Sequence, residues 1–359
     1  MATDLTLNLF DQQAANRRKS RWLMLAFLLF FAWLGLGGDF LLWQYTISEP
    51  PGAYHHTFPW VGIVLALIAV GVVVNVRSTG AKKVLWSTGA RPLEPGGTDE
   101  ERRLENVVEE MAIAAGVAKP EIHLIDDPDP NAFVTGTDPA KSHLAVTTGL
   151  LTLLDRDELQ AVVAHEMGHV KNLDMQLMTL VAGLAGAVAL IADGLGRVLF
   201  HSGRSGGGRG FSSGGGGGGG GRSRDNKGGG GLLIFVLVIW LISWALAPLV
   251  TRMLSMGISR KREFLADAMS AQFTRNPMSL ASALDKIEKA GAPTKAIKGG
   301  VAHLCIADPL GWKSTAKVGL VGDLFATHPP MALRVSRLRA MAFQAQKQAP
   351  SMSGDLPPE

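Results

Sequence analysis

His165-Glu166-Met167-Gly168-His169 places two imidazoles and a carboxylate within five residues near the middle of the 359-residue chain. On a helix, residues four apart stand one above the other, so His165 and His169 can face a single ion. Zinc takes neutral imidazole nitrogen, and a hydrolytic zinc site keeps three protein ligands and leaves a fourth position for water. Glu166 is placed to take a proton from that water and pass it to a leaving amine. The chemistry predicted is peptide hydrolysis at one Zn2+ per chain. A third ligand is expected from a second helix, at Arg260-Lys261-Arg262-Glu263-Phe264-Leu265-Ala266-Asp267. There Glu263 would ligate, and Asp267, one turn later, would accept a hydrogen bond from the free ring nitrogen of a ligating histidine. The competing reading is a charged, solvated helix face; the apolar neighbours and the Glu-x-x-x-Asp spacing favour ligation.

These groups need rigid elements to hold them, and helix-start signals supply candidates. Asp155 and Glu158 form a capping box ahead of a proline-free helical run through His169. Thr98 and Glu101 form another, for a helix whose Leu104, Val107, Val108, Met111 and Ala115 recur at helical spacing before Gly116. Short strands are expected at residues 121–125, 132–135 and 143–146, a helix from Asn276-Pro277, another over 331–344, and a disordered tail over 346–359. The soluble part thus reads as α+β, mainly helical, with no internal repeat.

Composition points to a membrane. Residues 22–76 hold no lysine or arginine, and apolar stretches at 22–42 and 59–76 are each near the roughly 20 residues a bilayer crossing needs. Further stretches at 177–199 and 232–250 raise the expected count to about four. The third is rich in Ala and Gly and carries Asp193 and Arg197, so a buried or hairpin helix is its alternative; Gly183 and Ala187 suit close packing. Arg17, Arg18, Lys19 and Arg21 before the first span and Arg77, Lys82, Lys83 and Arg91 after the second put both flanks in the cytoplasm. His169 and Glu263 must meet at one ion, so the chain between them crosses an even number of times. The long first apolar run lacks a small-residue cleavage site and reads as a signal anchor.

Residues 202–231 are mostly Gly and Ser with scattered basic residues, a linker that is either a passive spacer or a contact for lipid headgroups. Its positive charge conflicts with the outward placement that the topology gives it. The net charge of +4 comes from the ends of apolar spans, which argues against nucleic acid. Cys305, the single cysteine, excludes an intramolecular disulfide and reads as a buried hydrophobe.

The motifs taken together resemble the HtpX-type integral-membrane zinc metallopeptidases, related to the CAAX prenyl proteases, over about residues 104–339. Those motifs are Glu110-Met111-Ala112-Ile113-Ala114-Ala115-Gly116, Pro130-Asn131-Ala132-Phe133-Val134-Thr135-Gly136, the His165–His169 pentad, Arg262 to Asp267, and His328-Pro329-Pro330 with Arg334. The resemblance implies a zincin-like, cytosol-facing endopeptidase in the inner membrane, acting on unfolded or misassembled membrane proteins. It implies further that Asn131, Ala132, Phe133 and Val134 hold an extended substrate at a strand edge, an ordinary core strand being the equal alternative. His328 would donate to the oxyanion or be merely structural. Arg334 is expected to pair with a carboxylate of its own domain.

On this reading residues 1–21 are a cytoplasmic segment, 22–76 two transmembrane helices, and 77–176 the first part of the peptidase domain. Residues 177–250 are two further membrane helices around the linker, and 251–345 the second part of the peptidase domain. Three rivals are weighed. A prenyl-protein protease shares the motifs but implies more spans. A catalytically silent zinc scaffold would close its metal with a fourth protein ligand. A metal transporter would want more ionisable groups in its spans than Asp39 and Asp193.

Overall fold

The computed structural model describes residues 9–202, 238, 240, 242, 260–290, 296–297, 301–307 and 329–348. The chain divides into two units, one of residues 1–24, 73–184 and 253–359, the other of 25–72 and 185–252. The division cuts through continuous helices. α1 (Leu9–Thr46) and α2 (Trp60–Ser87) each begin in one unit and end in the other.

These two are the helices long and apolar enough to cross a membrane among the described residues. Both outrun the stretches of 22–42 and 59–76 expected from hydropathy, because polar turns continue the helices beyond the apolar run. Their outer faces expose Trp22, Leu25, Leu29, Trp33, Leu36, Ile63, Val64, Leu67 and Ile68, apolar area that water would penalise and lipid would not. They approach closely at Gly35, where a Cβ would lie 2.5 Å from the Cα of Gly62, the small-residue contact that membrane helices favour.

Asp39 is buried there, its carboxylate fully engaged. It accepts from the backbone N–H of Val61 at 2.9 Å and of Gly62 at 2.6 Å, and lies 2.7 Å from His56 Nε2. It therefore satisfies first-turn donors of α2 that would otherwise be orphaned. Trp240, in the fourth apolar stretch, donates to the carbonyl of Leu34 at 2.9 Å. Residues 238 and 242 are the other described positions of that stretch, and residues 203–231 of the Gly-rich linker lie outside the described residues.

The other unit is built on a four-stranded sheet in the order β1-β2-β4-β3, with β1 Arg91–Pro92, β2 Glu121–Ile125, β3 Ala132–Thr135 and β4 His143–Thr147. β2 and β4 are parallel, and β1 and β3 pair antiparallel at the two edges. α3 (Asp99–Ala115) starts on the Thr98–Glu101 capping box and ends at left-handed Gly116. A short helix, α4 (Thr148–Leu153), which sequence reading misses, follows β4 directly. α5 (Arg156–Lys171) starts on the Asp155–Glu158 box. It is buried on all sides, because α3, β3, α7 (Arg260–Thr274) and α8 (Pro277–Ala290) surround it. α9 (Met331–Gln348) packs on α8 and α7 and runs four residues past the helix end expected from sequence.

The sheet has two differently used faces. Ile122, Leu124, Ala132, Val134, Leu144 and Val146 pack in one core with α3 and α5, whereas Ile125, Phe133 and Ala145 pack in another with Val84, Met178 and Val181. Met178 and Val181 belong to α6 (Asp174–Ser202). Its residues Leu177, Leu180 and Leu184 are also buried within this unit, so the third apolar stretch of 177–199 serves the protein core in its first half.

Candidate active site

α5 carries His165, Glu166 and His169, and α7 carries Glu263. The two helices touch where α5 has its glycine: a Cβ on Gly168 would stand 3.3 Å from the Cα of Ala266 and 3.5 Å from the side chains of Ala266 and Met269. That absence of a side chain lets the α7 backbone come close enough to bring Glu263 over the histidine pair. His165 Nε2 and His169 Nε2 are 3.2 Å apart, and they lie 3.7 Å and 3.6 Å from the two carboxylate oxygens of Glu263. All three side chains are buried, and their ligand atoms fall within 4.8 Å of one another.

The outer nitrogen of each imidazole has its own carboxylate. His165 Nδ1 stands 3.0 Å from Asp267 Oδ1, and Asp267 takes two hydrogen bonds from Arg334, at 2.7 Å and 3.0 Å. Arg334 is fully buried and also donates to the carbonyl of Ile306 at 3.0 Å. His169 Nδ1 stands 3.2 Å from Asp174 Oδ2, a partner that sequence reading misses. Five residues is not a helix-face spacing, and Asp174 opens the next helix. It reaches back because Leu173 takes a left-handed turn at φ 61°, a conformation disfavoured for leucine. Asn16 of α1 donates to Asp174 Oδ1 at 2.7 Å and to the carbonyl of Asn172 at 2.9 Å, and Arg262 lies 3.7 Å from Asp174 Oδ1. The N-terminal segment, expected only as a cytoplasmic lead-in to the membrane, thus joins the site.

Charge is arranged to receive a cation. Burial would lower the basicity of His169, but Asp174, Glu263 and Glu166 reverse it and push it up to about 9. Burial pushes Glu166 up to about 7, with His169 drawing it back and Glu263 adding to the rise. His165 is lowered by burial. Arg334 outweighs the burial of Asp267 and holds its carboxylate low. Both oxygens of Glu166 are buried without a well-formed hydrogen bond, the Val134 backbone being the one donor among the described residues close enough to draw its pKa down, and few native polar groups tolerate this unless a ligand or water supplies a partner. Two imidazoles, a carboxylate and an unpartnered acid fit a divalent transition metal with a water beside it.

β3 is an edge strand of the sheet, which its own pattern did not reveal. Ala132 accepts a hydrogen bond from the Ile306 N–H at 3.0 Å, and Asn131 Nδ2 donates to the Ala307 carbonyl at 3.2 Å. The Gly136 N–H donates to Thr179 at 3.0 Å. Alternation along the strand leaves the outward peptide groups of Val134 between those two ends. Phe133 packs its ring into the core on the other face of the sheet. His328 lies outside the described residues, while Arg334 pairs with the carboxylate of Asp267, as the sequence suggested for a residue of that helix.

Residues 98–342 match Peptidase family M48. The chain is 36% identical to a Protease HtpX homolog of Caldanaerobacter subterraneus over 93% of its own length and 98% of that protein. Against the Protease HtpX homolog of Streptococcus gordonii it is 34% identical over 93% and 100%. For that of Tropheryma whipplei the figures are 39% over 78% and 85%. Among solved structures, S. mikatae Ste24p matches 92% of this chain and 67% of its own, with 19% identity and a TM-score of 0.42.

Proposed function

This chain belongs to peptidase family M48 and is a membrane metallopeptidase, and from that premise we propose that it is a zinc endopeptidase whose ion is held by His165, His169 and Glu263, one per chain. Bound there, zinc would supply Lewis acidity towards a water and a scissile carbonyl. The chain's own residues do the rest. Glu166 accepts the proton of the attacking water and delivers it to the departing amine. Asp267 and Asp174 each fix one imidazole by its outer nitrogen, so that the inner nitrogens keep their lone pairs for the ion. Arg334 holds Asp267 by a bidentate pair and so positions His165 through it. His328 is assigned the oxyanion contact.

The extended substrate pairs with the outward peptide groups of Val134, next to Glu166, rather than along all of Asn131, Ala132 and Phe133. Backbone pairing accepts varied side chains, which suits unfolded or misassembled membrane proteins as clients. The peptidase unit is placed in the cytoplasm at the inner membrane, on the strength of the basic flanks of α1 and α2. The four-span topology and the domain limits rest on hydropathy in the same way.

One observation carries this reading: a buried acid, unpartnered at both oxygens, stands beside three convergent ligand atoms. The test is hydrolysis of a casein-like or unfolded membrane substrate by detergent-purified chain, wild type against Glu166→Gln at matched zinc. Loss of cleavage with zinc retained supports the assignment. Equal turnover by both would sink it.

A further inference from the structure

On the sheet face opposite α5, a second group of ligating side chains converges. Glu121 and His143 open the parallel strands β2 and β4 and are direct register partners; His123, two residues along β2, lies on the same face. The ligand atoms of these three side chains fall within 4.8 Å of one another. His143 Nδ1 is 2.9 Å from Glu121 Oε2, yet the nitrogen is buried without a well-formed hydrogen bond. The two imidazoles meet edge to face, with ring centroids 5.3 Å apart. His123 Nδ1 is 3.3 Å from the Glu121 carbonyl, a contact that puts its proton on Nδ1 and frees Nε2 as a lone-pair donor.

We propose that Glu121, His123 and His143 form a second site for a divalent transition metal, separate from the centre on α5 and α7. Two imidazoles and a carboxylate select zinc or cobalt over magnesium or calcium, which want oxygen ligands throughout. Water completes the coordination on the exposed side, where Glu121 reaches solvent. The site cannot share the first ion, because Leu144 and Val146, the β4 residues that alternate with His143, face the core containing α5. The bound ion ties the first residues of β2 and β4 together across their ladder. It also fixes His143, the register partner of Thr135 at the end of β3. Binding to the folded sheet and not to the unfolded chain makes the ion a stabiliser whose effect grows with metal concentration.

The test is zinc uptake by untagged, full-length chain in detergent, stripped with chelator and titrated by calorimetry, with bound metal counted by atomic emission. The wild type is expected to take up a second zinc per chain that His143→Ala and His123→Ala each lose, both variants keeping Glu166-dependent hydrolysis. The His165→Ala/His169→Ala double variant is expected to keep this second ion; should it fail to fold, the two single variants carry the test. Uptake of one zinc by wild type and by His143→Ala alike overturns the second site and leaves the peptidase centre intact. A second ion that survives both single substitutions overturns it equally. One ion in wild type and none in His143→Ala would instead count against the centre on α5.

Discussion

Asp39 and Glu166 are both acids removed from water, and they differ in what surrounds their oxygens. Asp39 lies in the unit of residues 25–72 and 185–252, where two backbone N–H groups and His56 meet its carboxylate. Glu166 lies in the other unit, with neither oxygen in a well-formed hydrogen bond. A buried polar group that is fully partnered stabilises one conformation. One left unpartnered costs roughly 1–3 kcal/mol, a cost retained in a fold when a ligand or reaction uses the group. The difference separates an architectural acid from a reactive one where charge and burial alone do not.

Substitutions at the two acids should have opposite consequences. Glu166→Gln is expected to lower hydrolysis by about 10²–10⁴-fold with the fold and metal retained. Asp39→Ala is expected to leave turnover per folded chain unchanged and to destabilise by roughly 1–3 kcal/mol through the stranded N–H donors; thermal unfolding in detergent, set beside activity, checks both. A loss of turnover in Asp39→Ala without loss of fold would erase the distinction.

The two carboxylates behind the histidines combine both roles. Asp174→Asn and Asp267→Asn are each expected to weaken zinc affinity by about 10–100-fold in competition with a chelator. Asp267→Asn also lowers stability, because it leaves the buried Arg334 with only the more distant Glu263, at 3.6 Å, as a paired carboxylate. Gly168→Ala should cost on the order of 1–3 kcal/mol, by forcing α7 away from α5, and should show as weaker zinc binding through Glu263.

The last effect is one of pH, in metal-free protein. Glu166 rises from 4.5 to about 7 on folding, so the folded chain holds this proton more tightly than the unfolded chain does. Its contribution to stability is therefore present below about pH 4.5 and is lost as pH rises through about 7. Metal-free Glu166→Gln should accordingly melt higher than metal-free wild type at pH 8, with the gap closing towards pH 5. A gap that stayed constant across that range would deny that burial of this carboxylate is what raises it.

Much of the site was legible because it obeys helical spacing. His165 and His169 share a face by arithmetic, the Asp155–Glu158 box announced their helix, and the Glu263–Asp267 spacing announced the second. Asp174 was hidden because its approach to His169 depends on the left-handed turn at Leu173, which a leucine does not advertise. Asn16 was hidden because α1 continues as a helix beyond the apolar run that betrayed it. The edge position of β3 is a property of strand order, which no pattern inside four residues carries.

Local order was therefore decided largely by sequence alone: where the long helices start, which two segments are most apolar, and which side chains on one helix stand together. Such properties depend on neighbours three or four residues away and on composition. The meeting of α5 with α7, the reach of Asn16 to Asp174, and the pairing of His123 with His143 across parallel strands were decided by tertiary structure. Each joins residues whose separation in the chain is arbitrary, and only packing and sheet register, settled by the whole fold at once, bring them within bonding distance.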